Sequence, residues 1–302
     1  MRVASLDVGS NSVLMLVAEL QPDGAWHRQE DHAEVTRISQ GLDQSGLLHE
    51  EAIARTEAVL RRFVARAREL QIDKILVTGT APFRRAKNGA AVAEHLSQAL
   101  GVDLVVASGD EEAALTLEAT LASFPELRRN WLVDIGGAST EIIRCDGEVR
   151  QGVSLDVGVV RLTERHIPAH PIPPAAIEAL RADIRAALAS LALRREPGLP
   201  LVGVAGTVTT LAAVDQRLER WDPNKIQGYV MSPERIHELA HSLSALSLDE
   251  RSRLPGLDPR RSDVAPAGAW LLYELCAHLG ASEVVVSDRG LRWGRLFREG
   301  VK

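Results

Sequence analysis

Asp134-Ile135-Gly136-Gly137-Ala138-Ser139-Thr140-Glu141 is the stretch around which the rest of the sequence is organised. An apolar run at residues 131–133 precedes it, so the pattern predicts a buried strand, a tight glycine turn and a returning strand. The glycines leave backbone N–H groups that can face an anion, in the arrangement that holds phosphate groups. Asp134, at the end of the first strand, is then placed to hold a cation beside that phosphate.

A second copy of this pattern lies near the amino terminus. Asp7-Val8-Gly9-Ser10-Asn11-Ser12 also follows a strand-like run, and Asp7 precedes Asp134 by 127 residues. The pair Gly79-Thr80 recurs as Gly206-Thr207 at the same offset of 127 residues. Two matches at one offset indicate a duplicated domain, with a phosphate hairpin and a Gly-Thr turn in each half. We expect the two hairpins to face a cleft between the domains and to hold a phosphate and a metal ion there.

Length and composition predict two cytoplasmic domains. The chain has 302 residues, of which 45% are apolar and 25% charged, which is enough for two cores. It begins directly with a strand rather than a signal peptide, and no apolar run is long enough to span a membrane. Cys145 and Cys276 lie in apolar surroundings, as reduced core residues do, although they could also form one disulfide. The net charge of −6 argues against non-specific nucleic-acid binding.

The order of strand and helix patterns is the same in both halves. Three strands followed by helix–strand–helix–strand–helix predict an α/β half with a mixed sheet. Pro125 breaks a helix, so we place the domains at residues 1–124 and 125–290, with a final helix at 291–302 that can join the first domain. The predicted strands are 2–7, 12–20, 26–35, 74–78, 102–107, 131–135, 140–145, 149–155, 201–205 and 283–287, and the main helices are 50–70, 88–100, 110–123, 159–166, 174–193, 208–214, 233–246 and 261–279.

Two adjacent carboxylates occupy the predicted start of a helix at residues 108–112. Ser108 and Glu111 have the spacing of a capping box, which gives Glu111 a structural explanation. Glu112 lies about 100° further around the helix and takes no part in that box. Two interpretations of Glu112 stay open at this point. It is either a first-turn carboxylate that favours the helix dipole or a general base that activates water beside a phosphate.

Arginine pairs occur next to two predicted turns. Arg84 and Arg85 follow the first Gly-Thr turn, and Arg260 and Arg261 lie in a rigid loop at residues 254–263. A guanidinium group can grip an oxyanion with two parallel hydrogen bonds. In each pair we expect one arginine to do this and the other to be a solvated charge.

The segment His237-Glu238-Leu239-Ala240-His241 matches H-E-x-x-H, the pattern of zinc-peptidase helices. On a helical wheel, both histidines and Glu238 fall opposite the apolar stripe. We therefore predict a surface helix whose histidines face solvent, and the sequence offers no evident third zinc ligand. The stripe consists of Ile236, Leu239, Ala240, Leu243 and Leu246.

Taken in order, these motifs resemble those of the exopolyphosphatase/guanosine pentaphosphate phosphohydrolase (Ppx/GppA) family, within the actin-like ATPase and sugar-kinase superfamily. The resemblance covers the chain almost end to end, and ordered motifs in this number are specific. The matching segments are Asp-Val-Gly-Ser-Asn-Ser at 7–12, residues 80–88, Ser-Gly-Asp-Glu-Glu-Ala at 108–113, residues 134–141, Gly-Val-Val-Arg-Leu-Thr-Glu at 158–164, Ala-Gly-Thr at 205–207, residues 254–263, and Ser-Asp-Arg-Gly-Leu-Arg at 287–292.

The resemblance implies a fold of two actin-like (ribonuclease H-like, ASKHA) α/β domains, with mixed five-stranded sheets around an interdomain cleft. It implies hydrolysis of terminal phosphoanhydride bonds with Mg²⁺, or with Mn²⁺ in its place. By position, Glu112 becomes the catalytic base, and Arg84 and Arg261, rather than their neighbours, fall in the family's register. The metal ligands are Asp134, Glu141 and Asp7, and the substrate-binding residues are Asn11, Ser12, Arg84, Gly136, Gly137, Ser139, Gly206, Thr207 and Arg261.

The chain departs from the family pattern at two positions. Ala138 replaces the third glycine of the second phosphate loop, and alanine fits there only if its φ is negative. Trp293 stands where glutamate is usual after Gly-Leu-Arg. From its length we expect the chain to be one of the short, two-domain family members, without the extra carboxyl-terminal helical domains of the long ones.

The function we predict is that of a cytoplasmic, homodimeric exopolyphosphatase. A guanosine pentaphosphate 5'-phosphohydrolase and a non-catalytic guanosine-nucleotide sensor are the alternatives. A kinase of the same superfamily would need an adenine pocket and a base for a substrate hydroxyl, and no clear sequence segment provides either. Aromatic residues make up only 4% of the chain, and only Phe83 and Trp293 adjoin the phosphate motifs. We therefore expect guanosine pentaphosphate to be a poorer substrate than polyphosphate. Because a two-domain chain offers a shorter phosphate groove, we also expect short polyphosphates to be preferred over long ones.

Overall fold

The computed structural model of the protein describes residues 1–146, 149–191, 193 and 195–300. The chain forms two compact units, Met1–Ala119 together with the segment from Gly290 onward, and Thr120–Arg289. Each unit is an α/β domain with one mixed sheet, as the sequence predicts. The boundary between the two units lies after Ala119, within a helix. The sequence analysis placed this boundary after residue 124, because Pro125 was expected to end the helix. Among the described helices, none has both the length and the apolar character that crossing a membrane requires.

The sheet of the first unit combines an antiparallel meander with two parallel strands. Its strands are β1 (Arg2–Val8), β2 (Ser12–Leu20), β3 (Trp26–Val35), β4 (Lys74–Gly79) and β5 (Leu104–Val106). Their order is β3-β2-β1-β4-β5. β2 is antiparallel to β1 and β3, while β4 is parallel to both β1 and β5. Parallel neighbours need a crossover connection, which the helices of this unit supply.

Helices cover both faces of this first sheet. They are α1 (Leu42–Ser45), α2 (Glu50–Glu69), α3 (Ala81–Arg85), α4 (Gly89–Leu100), α5 (Gly109–Ser123) and the carboxyl-terminal helix (Leu291–Gly300). Ala4 and Leu6 of β1 belong to the core cluster that includes α2 and α4. Val3 points to the other face and packs in a cluster with Trp293 of the carboxyl-terminal helix. Alternation along the strand places Asp7 on this second face. Residues 301 and 302 of the predicted final helix lie outside the described residues.

The second unit has a larger sheet than the five strands predicted. Its strands are β6 (Arg129–Ile135), β7 (Thr140–Asp146), β8 (Val149–Leu155), β9 (Leu201–Val204), β10 (Val230–Met231) and β11 (Val284–Val286). The order in this six-stranded sheet is β10-β11-β9-β6-β7-β8. The unpredicted strand β10 has two residues and pairs antiparallel with β11. A strand this short has no alternating pattern by which a sequence could reveal it.

The helices of the second unit enclose one large core. They are α6 (Val159–His166), α7 (Pro174–Ala189), α8 (Ala205–Asp215), α9 (Pro223–Ile226), α10 (Pro233–Ala245), α11 (Leu248–Ser252) and α12 (Ala265–Leu279), with a 3₁₀ turn at Pro259–Arg261 before α12. α12 is buried along most of its length, and Trp270 and Leu271 are 1% and 0% exposed. Both cysteines are buried and are not joined by a disulfide, which confirms their predicted place in the core.

Three predicted helix ends differ from the structure by more than one residue. α7 ends at Ala189 rather than at residue 193, and α12 begins at Ala265 rather than at residue 261. Pro266 stands in the first turn of α12, where its missing N–H has no cost, so it marks the helix start. α8 begins at Ala205 rather than at residue 208. Gly206 and Thr207 therefore lie in the first helical turn instead of in a preceding loop.

Candidate active site

Each of the two phosphate hairpins is closed by an equivalent internal hydrogen bond. The N–H of Gly9 donates to the carbonyl of Ser12 at 3.0 Å, and the N–H of Gly136 donates to that of Ser139 at 3.0 Å. These two bonds are related by the offset of 127 residues found in the sequence. Because the hairpin uses the Gly136 N–H in this way, a phosphate at the second hairpin must be held by N–H groups from Gly137 onward.

The Gly-Thr turns are tied to the hairpins by a second pair of equivalent bonds. Thr80 donates its hydroxyl to the Val8 carbonyl at 3.1 Å, and Thr207 donates to the Ile135 carbonyl at 3.0 Å. The predicted duplication is thus visible in individual hydrogen bonds. The Thr207 hydroxyl positions the loop, so any contact from Thr207 to phosphate is left to its backbone N–H in the first turn of α8.

The second hairpin packs against the start of α6. Val159 donates its N–H to the Gly136 carbonyl at 3.0 Å. A Cβ at Gly158 would lie 2.4 Å from the Gly137 carbonyl carbon, so only glycine allows this approach. Ala138 is not among the residues with positive φ in the described chain. The alanine that departs from the family pattern therefore meets the backbone condition that the sequence analysis set for it.

Glu112 lies in the first turn of α5 and accepts a hydrogen bond from Arg84. The Glu112 side chain is 12% exposed and that of Arg84 is 26% exposed. Arg84 also donates to the Ala107 carbonyl at 2.7 Å, which anchors its guanidinium at the start of the helix. Arg84 thus orients the Glu112 carboxylate while leaving part of it accessible to solvent. The geometry is that of a general base held by a second residue, and the base role itself stays a prediction.

Glu111 has structural partners instead. Its N–H donates to the Ser108 hydroxyl at 3.1 Å, which is the predicted helix cap. Its carboxylate lies 3.7 Å from the guanidinium of Arg295 on the carboxyl-terminal helix. Glu111 and Glu112 are thus adjacent in the same helical turn but contact different residues.

The arginines outside the family's register are paired locally. Arg85 contacts Asp43 at 2.5 Å, and Arg260 contacts Asp258 at 2.9 Å. These ion pairs replace the solvated charges that we predicted. Both arginines are thus tied to carboxylates, whereas Arg84 and Arg261 lie next to the predicted base and the Gly206 turn, respectively.

Asp7 has an oxygen atom with no hydrogen-bond donor. Its Oδ1 is buried, and none of the described side chains or backbone groups donates to it. Burial raises the pKa of Asp7 to about 6, and the positive charge of Arg292 opposes this rise. A bound cation would favour the charged carboxylate and satisfy the buried oxygen. The environment of Asp7 therefore fits a ligand for a hard divalent ion.

Asp134 and Glu141 stand directly opposite each other in the β6–β7 ladder, so their side chains share one face of the sheet. Glu141 is 6% exposed and accepts a hydrogen bond from the Ser154 hydroxyl at 2.9 Å. Carboxylate oxygens are the ligands that Mg²⁺ prefers. No group of three or more metal-ligating side chains occurs in the described part of the chain. A Mg²⁺ ion at these carboxylates would therefore complete its shell with water and phosphate oxygens.

The guanidinium of Arg261 lies against the start of α8. A Cβ at Gly206 would be 2.0 Å from Arg261 Nη1, so glycine is what allows the guanidinium to approach the backbone. Ala205, the preceding residue, has a φ of 69°, which costs an alanine roughly 1–2 kcal/mol. Strain of this kind persists mainly at functional sites. The first-turn N–H groups of α8 and the Arg261 guanidinium therefore have the chemistry of an anion site, and phosphate binding here stays a prediction.

Arg251 holds the loop that presents Arg261. It is 0% exposed, and burial lowers its pKa, with the nearby Asp263 acting against that shift. It donates to the carbonyls of Ser262 at 2.6 Å and Leu246 at 2.9 Å, and to His170 Nδ1 at 2.8 Å. The sequence analysis missed Arg251 and its helix, α11. A signal was present, since residues 247–250 form a capping box, but the helix is only five residues long.

The predicted site residues divide between the two units. In the first unit, Arg84 and Glu112 are in direct contact, and Asn11 Nδ2 lies 3.5 Å from the Ser12 hydroxyl. Asn11 Oδ1 is buried and has no donor among the described residues. The first unit holds Asp7, Asn11, Ser12, Arg84 and Glu112, and the second holds Asp134, Gly136, Gly137, Ser139, Glu141, Gly206, Thr207 and Arg261.

The H-E-x-x-H helix is α10, and its buried face is the one predicted. Ile236, Leu239, Ala240 and Leu243 are buried. The prediction that both histidines face solvent is wrong for His237, which is half-buried because its ring packs 4.5 Å from that of Tyr273. The wheel identified the polar face of the helix but not the neighbouring helix beside it.

Comparison with known proteins gives consistent matches. The sequence model described as the Ppx/GppA phosphatase family matches residues 27–301. The chain is 30% identical to Exopolyphosphatase 2 of Mycobacterium tuberculosis, over 96% of each protein. It is also 30% identical to the guanosine-5'-triphosphate,3'-diphosphate pyrophosphatase of Vibrio atlanticus, but spans only 58% of that protein's length. The crystal structure of the Aquifex aeolicus Ppx/GppA family member, 28% identical, superposes with a TM-score of 0.83 over 100% of this chain and 98% of that one. This structural likeness confirms the predicted fold class.

Proposed function

The chain belongs to the Ppx/GppA phosphatase family, and on that premise we propose that it is an exopolyphosphatase. It hydrolyses the terminal phosphoanhydride bond of inorganic polyphosphate and releases orthophosphate. A relative that it matches over 96% of the length of each protein is named Exopolyphosphatase 2. Guanosine pentaphosphate is the alternative substrate, because a nucleotide pyrophosphatase is equally similar over the part it shares.

The observation that favours polyphosphate is the burial of the two aromatic residues next to the phosphate motifs. A guanosine ligand gains from an accessible stacking surface, whereas polyphosphate needs only positive charge and N–H donors. Phe83 is 4% exposed and Trp293 is 2% exposed, so both rings belong to the core of the first unit. Phe83 and Trp293, the two aromatic residues that the sequence placed near the phosphate motifs, therefore pack in the core and do not offer a surface for stacking on a guanine base.

In the proposed reaction, Glu112 takes a proton from the attacking water. The water oxygen forms a bond to the terminal phosphorus, and the bridging P–O bond breaks with its electron pair remaining on the shortened chain. Arg84 keeps the Glu112 carboxylate directed toward the water. Arg261 and the first-turn N–H groups of α8 bind phosphate oxygens. Positioning and charge stabilisation of this kind supply most of the catalysis in phosphoryl transfer.

Mg²⁺ is the metal that the carboxylates fit, with Mn²⁺ as a substitute. Asp134 and Glu141 of the second unit would hold it, and it would neutralise charge on the phosphate oxygens. Asp7, in the first unit, is a carboxylate of the same kind. The buried Asp7 Oδ1 and the opposed pair on β6 and β7 support this assignment. A cytoplasmic homodimer stays a prediction of the sequence analysis.

The test compares kcat/KM for three ligands at fixed Mg²⁺ and salt: a short polyphosphate, a long polyphosphate and guanosine pentaphosphate. We expect the values to fall in that order. The Glu112→Gln variant serves as the background control for contaminating phosphatases. A clear preference for guanosine pentaphosphate would replace the substrate assignment. Tight nucleotide binding without phosphate release from any ligand would favour a sensor.

A further inference from the structure

The proposed hydrolysis makes no use of the histidine pair on α10. His237 and His241 are one helical turn apart, and their Nε2 atoms are 3.2 Å from each other. At this distance the two nitrogens share one proton, with one ring donating and the other accepting. Two imidazole nitrogens that converge on one point are also the arrangement of a bidentate metal ligand.

Aromatic neighbours fix the positions of both rings. The His237 ring lies 4.5 Å from Tyr273 and 5.5 Å from Trp270, and the His241 ring lies 4.8 Å from Trp270. Trp270 is itself anchored by a 3.0 Å hydrogen bond from its indole N–H to Ser244. Pairs of long side chains on a helix surface lose entropy when they bind an ion together. The packing on α12 has already restricted these two rings, so less entropy is lost on binding.

We propose that His237 and His241 bind a divalent transition-metal ion, such as Zn²⁺ or Cu²⁺, through their Nε2 atoms in place of the shared proton. An ion about 2.0–2.1 Å from each nitrogen would see atoms 3.2 Å apart at an angle of roughly 100°, near the tetrahedral value. Imidazole suits these metals, whereas Mg²⁺ prefers oxygen ligands. The site is therefore separate from the predicted Mg²⁺ ligands.

The pair lies at the surface of the helix, where an ion would have only two protein ligands. His241 is exposed and His237 is half-buried. Within the described chain no third histidine, cysteine or carboxylate completes a metal group. Glu238, the residue that would act as base in a zinc peptidase, is held by Arg235 at 2.6 Å. Water would fill the remaining positions, and the geometry is that of a binding site rather than a peptidase centre.

Charge around the pair is nearly balanced. Arg181 stacks on Trp270 at 4.6 Å, and its charge is offset by Glu274, which contacts it at 2.7 Å. The positive charge of Arg181 is thus largely cancelled beside the histidine pair, which reduces its repulsion of a bound cation.

The test is a titration of tag-free protein with Zn²⁺ by calorimetry, and with Cu²⁺ by quenching of tryptophan fluorescence. Trp270 contacts both rings, so it reports on an ion bound between them. We expect His237→Gln and His241→Gln each to weaken Zn²⁺ binding by at least about tenfold, since losing even an indirect partner of a ligand costs this much. His95→Gln is the matched control, because His95 is exposed and pairs with Glu57 rather than with a histidine. It should leave the affinity unchanged.

Two results would overturn the proposal. Unchanged Zn²⁺ affinity in both single variants would show that the pair is not the site. Loss of Zn²⁺ affinity in only one of the two variants would show that a single histidine, rather than the pair, binds the ion. His241→Gln keeps the test valid even if His237→Gln disturbs packing, because His241 is exposed. Trp270→Phe should retain Zn²⁺ binding and lose most of the Cu²⁺-dependent quenching. Phosphatase activity is not a readout, so this test is independent of the proposed function.

Discussion

At the scale of single residues, two neighbouring glutamates differ in what they contact. Glu112 is held by Arg84, while the backbone N–H of Glu111 is capped by Ser108 and its carboxylate lies near Arg295. We expect Glu112→Gln to bind polyphosphate but to hydrolyse it about 10²–10⁴-fold more slowly, the usual effect of losing a positioned acid–base group. Glu111→Gln should cost ~1 kcal/mol or less of folding free energy and little activity. Steady-state kinetics and urea unfolding of both variants check this. Reversed effects would exchange the roles of the two residues.

Asp134 is a metal ligand in the sequence analysis, and in the structure it stands opposite Glu141 in the β6–β7 ladder. Asp134→Asn keeps the shape and removes the charge, so a hard cation loses a charged oxygen ligand. We expect activity to fall and the Mg²⁺ concentration for half-maximal activity to rise together. The measurement is phosphate release over a Mg²⁺ titration. An unchanged titration curve would remove Asp134 from the metal site.

At the scale of elements, the loop before α12 depends on Arg251. Arg251→Met removes its bonds to Ser262, Leu246 and His170 and leaves the buried Ser262 carbonyl without its donor, at ~1–3 kcal/mol of folding free energy. We expect KM for polyphosphate to rise about tenfold, or ~1.4 kcal/mol, with a smaller change in kcat, because Arg261 loses its position. Arg253→Met is the control, since Arg253 is 75% exposed and pairs with an exposed aspartate. A loss of stability with an unchanged KM would contradict a positioning role for Arg251.

The contact between α7 and α12 includes a buried ion cluster. Glu274 is 5% exposed and accepts from Arg181 at 2.7 Å and Arg185 at 2.8 Å. Burial alone would raise the pKa of Glu274, but the hydrogen bonds from Arg185 and Arg181 bring it below the ordinary value of 4.5. A lowered carboxyl pKa stabilises the fold above the unfolded-state pKa, and this stability is lost as pH falls through the folded-state pKa.

Glu274→Gln should therefore destabilise the protein at neutral pH, by ~3–5 kcal/mol, because two arginines lose their buried partner. Its unfolding free energy should also depend less on pH than that of the wild type on the acid side of 4.5. Urea unfolding across the acid range measures both effects. Glu178→Gln is the matched control, since Glu178 is 66% exposed and contacts the same Arg181. An equal acid slope in the Glu274 variant would show that this cluster does not control acid stability.

At the scale of the whole molecule, each unit has its own core, and Trp293 belongs to that of the first. Trp293→Ala should cost about 3–5 kcal/mol, the usual loss for a buried tryptophan. We expect faster amide exchange in β1, β2 and the carboxyl-terminal helix, with exchange in the second unit's sheet unchanged. The ratio of kcat/KM for polyphosphate and guanosine pentaphosphate should also stay the same, because the ring is buried. A changed kcat/KM ratio would instead place the guanine base of the nucleotide near Trp293.

The sequence by itself determined the features that follow from local spacing. The hairpins, the Gly-Thr turns and their shared offset are properties of short segments, so strand ends and turns were recognisable without any partner. The order of the main helices and strands followed from periodicity for the same reason.

Only the tertiary structure decided which side chains meet. The contact of Arg84 with Glu112, the approach of Arg261 to Gly206 and the burial of Trp293 join residues distant in sequence. Packing between elements decides which residues become partners, and the periodicity of a helix or strand in the sequence contains no information about that packing. His237 shows the limit most directly, because a helical wheel gives the direction of a side chain but not the helix that packs beside it.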